Sequence, residues 1–247
     1  MISGIDGIRA AYQDAGVARR YVEERFTTPL GALLHDRQSQ VLRRVISAHA
    51  SPDVLEIAPG PARLTTSVID VTGRLTLLDA SAEMLAEARS RLSGVTVDTN
   101  YTLVRGDAFC LPFPSRFDFV YSFRLIRHFG PDERLRLYRE IARVLKPGGR
   151  LVFDAVNERV YEPMRAIADG KQHFDASLDR EALCAELAAA GFEVELLAGV
   201  QHRYSTLYQL QVLVAPRSAK LARLAMNVVD RVGGGEPLEW VVTCRRV

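Results

Sequence analysis

The residues of this chain best suited to chemistry stand at the ends of short apolar runs. Glu56-Ile57-Ala58-Pro59-Gly60-Pro61-Ala62 closes the run that begins at Asp53. Small residues at alternate positions let a backbone turn tightly and come close to a ligand that a bulky side chain would push away. A helix starting near Pro61 points its free N–H groups at the same ligand. Asp79 closes the next run, where a carboxylate is placed to accept hydrogen bonds from a ribose diol. Gly106-Asp107-Ala108-Phe109 closes the third and sets a carboxylate beside an aromatic ring, a pair suited to binding and covering an adenine. Ser122-Phe123-Arg124-Leu125-Ile126-Arg127-His128-Phe129 closes the fourth. His128 titrates near neutrality when unperturbed and so offers a general base for a hydroxyl or protonated amine. Arg124 and Arg127 offer charge-assisted hydrogen bonds to an acidic group. Plainer roles stand beside each of these: a packed histidine, solvated arginines, an Asx turn at Asp107 and a helix-dipole carboxylate at Asp79.

The elements that position these residues follow from periodicity. DVLEIA (53–58) is apolar on both faces, as a buried parallel strand should be. RLTLLD (74–79), YTLVRGD (101–107), FDFVYS (117–122) and RLVFDAV (150–156) read as four more strands. Helical segments separate them: PARLTTSVID, then SAEMLAEARSRL with Ser81 as its cap, then PDERLRLYREIARVL, whose Leu135, Leu137, Ile141 and Leu145 recur at helical spacing. KPGG ends the last of these. Such alternation requires right-handed crossovers and predicts a doubly wound parallel sheet. In such sheets a ligand sits beyond the carboxyl ends of the strands, where the strand order reverses.

The flanks differ. Residues 1–50 read as two helical stretches, RAAYQDAGVARRYVEERF and GALLHDRQSQVLRRVISAHA. Residues 158–190 read as a loop followed by the helix EALCAELAAAG, and 192–200 and 238–245 as two further strands. Between these lies the amphipathic SAKLARLAMNVVDRV, suited to core packing, an apolar acceptor, a membrane surface or a partner subunit. Loops and insertions at 1–50, 157–190 and 203–236 are expected to wall an acceptor pocket.

Composition points away from several classes. With 48% hydrophobic and 25% charged residues the chain is ordinary globular material. A net charge of +2 does not suggest a nucleic-acid binder, and no partner of that kind is expected. Cys110, Cys184 and Cys244 are scattered without metal-ligand spacing, which predicts no metal site and suits the reducing cytoplasm. His35, His173 and His202 also lack partners at metal spacing. The N-terminus lacks the pattern of a signal peptide, and apolar runs such as LQVLVAP are strand-sized, too short to span a bilayer.

Together these stretches resemble the class I S-adenosylmethionine-dependent methyltransferases, especially the broad group acting on small molecules. The resemblance covers roughly residues 40–200. In that family an acidic-x-Gly-x-Gly-x-Gly stretch contacts the amino-acid end of the cofactor. LEIAPGPA is similar, with Ala58 and Ala62 standing for two of the glycines, and Glu56 and Gly60 kept. The family's ribose-binding acid corresponds to Asp79, and its adenine-facing aspartate to Asp107, with Ala108 and Phe109 beside it. LKPGG (145–149) matches a family element in full. The resemblance further implies Ala80, Met84 and Ser122 at the cofactor, Tyr21 closing over it, and His128 and Arg124 at the acceptor.

The implied fold is a Rossmann-like, mostly parallel seven-stranded α/β sheet with an antiparallel last strand. It forms one domain over 1–247, made of a helical cap (1–50), a cofactor-binding core (51–200), and C-terminal strands with a helical insertion (201–247). The implied activity is methyl transfer from S-adenosyl-L-methionine to an O or N nucleophile of a small molecule, leaving S-adenosyl-L-homocysteine. A homodimer is compatible with all this. Two rivals remain. A nicotinamide-dependent dehydrogenase would want glycines at 58, 60 and 63, where the chain has Ala58, Gly60 and Arg63. A non-catalytic cofactor-binding protein would share every motif. A nucleic-acid methyltransferase would show an NPPY-like tetrapeptide where this chain has YSFR.

Overall fold

The computed structural model of the protein describes residues 25–95, 101–167 and 176–247. Tyr21, His173 and all but the end of the first N-terminal stretch lie outside them. Five strands, β1 (Asp53–Ile57), β2 (Arg74–Asp79), β3 (Tyr101–Arg105), β4 (Phe117–Ser122) and β5 (Leu145–Asn157), run parallel in the order β3-β2-β1-β4-β5. The two-residue β6 (Ser177–Leu178) pairs with the end of β5. β7 (Phe192–His202) and β8 (Pro237–Arg246) complete the sheet, β8 lying antiparallel between β5 and β7. The main path therefore has the seven expected strands, with β6 as an eighth off the path.

Alternation along each strand builds two cores. Leu55, Val120, Leu151, Phe153 and Val242 face one side, where α4 (Pro131–Val144) and α6 (Arg180–Ala189) cover them with Leu137, Tyr138, Ile141, Leu183 and Leu187. Val54, Leu75, Leu77, Phe119, Tyr121, Val152 and Val241 face the other. There α1 (Pro29–Ser47) contributes Leu34, Leu42 and Ile46, and α3 (Ala82–Leu92) contributes Ala88 and Leu92. Successive side chains of a strand point to opposite faces, so a sheet covered on both sides needs runs that are apolar throughout. The hydroxyl of Ser81 accepts the Met84 N–H at 3.1 Å and caps α3 as its sequence predicts.

Two expectations change. Leu145 belongs to β5 rather than to the helix: it pairs with Phe117, and pairing resumes at Arg150 opposite Phe119, so KPGG bulges out between them. Gly149 is needed in that bulge, because a Cβ there would lie 2.9 Å from the Lys146 carbonyl and 3.1 Å from that of Asp118. Residues 158–167 form a helix, α5 (Glu158–Ile167), where a loop is expected. Pro163 argues for a break, but the Asn157 side chain accepts the Arg159 N–H at 3.1 Å and starts the helix directly from the strand. The apolar run LQVLVAP lies at the end of α7 (Tyr204–Leu213), which precedes α8 (Ala219–Val232).

The two-sided packing sets a clear expectation. Leu137→Ala, fully buried between α4 and the sheet, should lower the unfolding free energy by about 3 kcal/mol in a urea titration. Leu135→Ala, half-buried on the same helix, should cost well under half of that.

Candidate active site

Strand β1 ends in a turn that few sequences can adopt. Ala58, Gly60 and Ala62 have φ of +54°, +55° and +58°, all in the left-handed region. For alanine that region costs roughly 1–2 kcal/mol per residue, so the surrounding structure must hold it in place. Two hydrogen bonds help: the Ala58 N–H donates to Leu78 O on β2 at 2.8 Å, and the Ala62 N–H donates to Pro59 O at 3.1 Å. The two alanines differ in what their methyl groups meet. Ala62 is fully buried in the core, so its methyl does not narrow the space over the strand ends, whereas Ala58 is half-buried. Gly60 has that open space in front of it: a Cβ there would find only Met84 Sδ, at 3.8 Å.

Asp79 stands on the wall of this cradle. One carboxylate oxygen accepts the Gly60 N–H at 3.1 Å, the other the Ser81 N–H at 2.9 Å. Each oxygen keeps lone-pair capacity beyond those bonds. Burial pushes the carboxyl up from its usual range, against the pull of the Ser81, Gly60 and Ala80 N–H groups. A concave main-chain turn with an orienting carboxylate fits a ligand bearing a vicinal diol, as S-adenosylmethionine does. Glu56 sits deeper. Its Oε2 accepts the Thr65 hydroxyl at 2.5 Å and the Tyr121 hydroxyl at 2.7 Å, and burial raises its pKa to about 7. The Thr65 and Tyr121 bonds and Arg63 oppose that rise, while Asp79 adds to it.

Past β3, Asp107 accepts the Phe109 N–H at 2.9 Å, an Asx turn. That turn orients Phe109, whose ring meets Phe129 edge-on at 5.0 Å. Ala108 and Phe109 are half-buried against the core beside them. Past β4, Ser122 is fully buried and its hydroxyl donates to Ile57 O at 2.9 Å, tying the end of β4 to that of β1. His128 is half-buried at the end of a single 3-10 turn, Ile126–His128.

The arginines are not solvated surface groups. Arg127 is 3% exposed, and its guanidinium reaches Asp154 and Glu239, both at 2.7 Å. Arg124 adopts φ +67°, donates its backbone N–H to Asp154 at 2.7 Å and lies 3.6 Å from Glu239 through its guanidinium. Its Nε is buried without a hydrogen-bond partner among the described residues. Gln38 continues this network, donating to Glu239 at 3.4 Å and accepting from Arg63 at 2.8 Å. Arg63 also meets His35 at 2.9 Å and lies over the Phe26 ring at 3.9 Å. Sequence reading missed Asp154, Glu239, Gln38 and Arg63. The available signal was an acid interrupting each of two strand-like apolar runs, LVFDAV and LEWVV.

A protein-family profile described as a methyltransferase domain matches residues 54–149, which span all four of these strand ends. The ubiquinone/menaquinone biosynthesis C-methyltransferase UbiE of Psychromonas ingrahamii is 35% identical over 121 residues, 47% of this chain and 47% of that protein. Residues 54–149 are thus similar in sequence to the methyltransferase domain of S-adenosylmethionine-dependent enzymes. The fold of this chain agrees with that of magnesium protoporphyrin IX methyltransferase from Synechocystis PCC 6803, solved with bound SAH. The two superpose with a TM-score of 0.70 at 12% identity, over 97% of this chain and 98% of that one. The [4+2]-cyclase SpnF shares the fold too, at TM-score 0.58 and 22% identity over 85% and 80% of the chains. The match to UbiE spans about half the length of each protein, and a cyclase on this fold means that the reaction must be argued from the site.

Two outcomes follow for the buried charges of this chain. Arg127→Met would strand Asp154 and Glu239 in the interior, and should cost about 3–5 kcal/mol in chemical denaturation. For Glu56, the folded pKa of about 7 exceeds the ordinary 4.5, so its contribution is complete below pH 4.5 and lost as pH rises through 7. Relative to Glu56→Gln, which cannot ionise, the wild type should lose on the order of 3 kcal/mol between pH 5 and 8. Parallel pH profiles of the two proteins would show no divergence if the carboxyl were ionised throughout.

Proposed function

We propose that this chain transfers a methyl group from S-adenosylmethionine to an oxygen or nitrogen of a small-molecule acceptor, acting from the cytoplasm. The observation that carries this reading is Asp79, a carboxylate beside Gly60 with each oxygen oriented by one backbone N–H. We read its remaining lone pairs as acceptors for the ribose hydroxyls. Asp107, Ala108 and Phe109 would meet the adenine, with Ala80 and Met84 walling the cradle. The main chain from Ala58 to Ala62 would meet the amino-acid end, with Glu56 behind it and Ser122 fixing the neighbouring strand end. Tyr21, outside the described residues, would close over the cofactor.

The cofactor supplies a methyl group carried on a cationic sulfonium. The chain's own part is therefore to align the acceptor, exclude water and leave a lone pair free on the attacking atom. His128 would take the proton of an acceptor hydroxyl or protonated amine. Arg124, whose Nε donor has no partner among the described residues, would hold an acidic group of the acceptor. The name of the Psychromonas ingrahamii relative, a C-methyltransferase, favours a carbon nucleophile as the second reading.

Calorimetry with S-adenosylmethionine and S-adenosylhomocysteine tests the cofactor assignment. Wild type should bind both. Asp79→Ala should weaken binding by roughly 10- to 100-fold, the worth of charged hydrogen bonds of about 1.5–3 kcal/mol. Absence of wild-type binding, or unchanged affinity in the variant, would sink it. Mass spectrometry of products from a panel of phenols, amines, acids and hydroquinones then separates O and N transfer from C transfer. Cofactor binding without any product would leave the non-catalytic rival standing.

A further inference from the structure

The helical hairpin between β7 and β8 is apolar on two opposite sides. Inward, α7 and α8 pack through Leu207, Ala222 and Met226 against Leu33 of α1. Outward, Leu221, Leu224, Val228 and Val232 of α8 are 56%, 65%, 56% and 72% exposed. They recur every three or four residues and so form one stripe along the helix, away from its buried side. On α7, Tyr208, Val212 and Leu213 are exposed as well, and that helix carries no charged residue. Seven of the nine exposed large apolar side chains among the described residues therefore sit on this hairpin. Scattered surface apolars need no explanation, but a concentration of this kind marks a contact surface.

Charge says what kind of contact. Between Arg203 and Val232 the chain holds Arg203, Arg217, Lys220, Arg223 and Arg231 against one acid, Asp230. That acid is buried and paired with Arg37 at 2.6 Å. Lys220 precedes Leu224 by one turn and Arg231 follows Val228 by one turn, so cations border the stripe. Pairing two copies through these stripes would gather cations with no exposed acid on either hairpin to answer them. An apolar layer beneath a sheet of anions satisfies both features.

We propose that the α7–α8 hairpin docks this protein on a bilayer containing anionic lipid. Leu221, Leu224, Val228 and Val232 enter the boundary between headgroups and acyl chains, and Lys220 and Arg231 meet lipid phosphates. β7 runs parallel to β5, because both lie antiparallel to β8. The hairpin thus leaves the sheet at the same edge as the turn at Ala58–Ala62, and docking brings the acceptor side of the sheet toward the lipid.

Sedimentation of the full chain with vesicles tests this without cofactor or turnover, so its outcome is separate from that of the methyl-transfer reading. Wild type should sediment with vesicles of phosphatidylcholine mixed with phosphatidylglycerol at low salt, be released by high salt, and ignore phosphatidylcholine alone. Leu224→Glu combined with Val228→Glu should lower the bound fraction more than about 10-fold. Lys220→Gln and Arg231→Gln should each weaken binding about fivefold. All four positions face solvent, and unchanged circular dichroism would establish that the variants fold. No sedimentation of wild type with the anionic vesicles, or equal sedimentation of the double glutamate variant, would overturn the proposal. So would a wild-type dimer in sedimentation equilibrium that the double variant dissolves, since a second copy would then own the stripe.

Discussion

Three left-handed residues within five positions, at Ala58, Gly60 and Ala62, are the constraint around which this molecule is arranged. They fold the chain back at the end of β1, so that a strand buried on both faces can lead into a helix on one of them. Two of the three are alanines, which resist this conformation, so the turn persists only because the sheet and core hold it. The Ala58 N–H is tied to β2 through Leu78, and the Ala62 methyl is locked into the core. The cradle in front of Gly60 and the depth of Glu56 behind it are both products of that fold-back.

Arg63, the next residue, carries the constraint across the molecule. Its guanidinium reaches Gln38 of α1, Gln38 reaches Glu239 of β8, and Glu239 shares Arg127 with Asp154 of β5. Charges in a protein interior are tolerated when each has a partner and costly when one is removed. This network therefore couples the turn after β1, the segment after β4 and the last strand of the sheet. Beside it Arg124 holds a strained conformation, with a donor unmet among the described residues, and strain of that sort gathers at functional sites.

The hairpin of α7 and α8 belongs to a different regime. It rests on α1 through a small cluster of its own and shows solvent a second apolar side. A helix whose only task were to cover the core would have no use for Leu224 or Val228 outside. The turn after β1 and the exposed hairpin are thus separate parts of the chain that meet at one edge of the sheet.

The sequence by itself determined the seven main strands, with shifted ends at β5, and the candidates that follow them. Short, largely apolar runs such as RLTLLD, bounded by turn residues, suit a strand covered on both faces, and the β2 bounds match that run residue for residue. Ser81 declared its cap, and Asp79 its place at a strand end, because both effects are local. The tertiary structure alone decided matters that depend on residues far apart in the chain. Arg127 looks like a surface arginine until Asp154 and Glu239 come to meet it across the sheet. Ala62 looks like a small residue facing a ligand until its methyl is placed inside the core. Leu145 reads as a helical leucine until Phe117 claims it for β5. Each of these turns on a pairing between elements, and local periodicity carries no information about which distant partner will arrive.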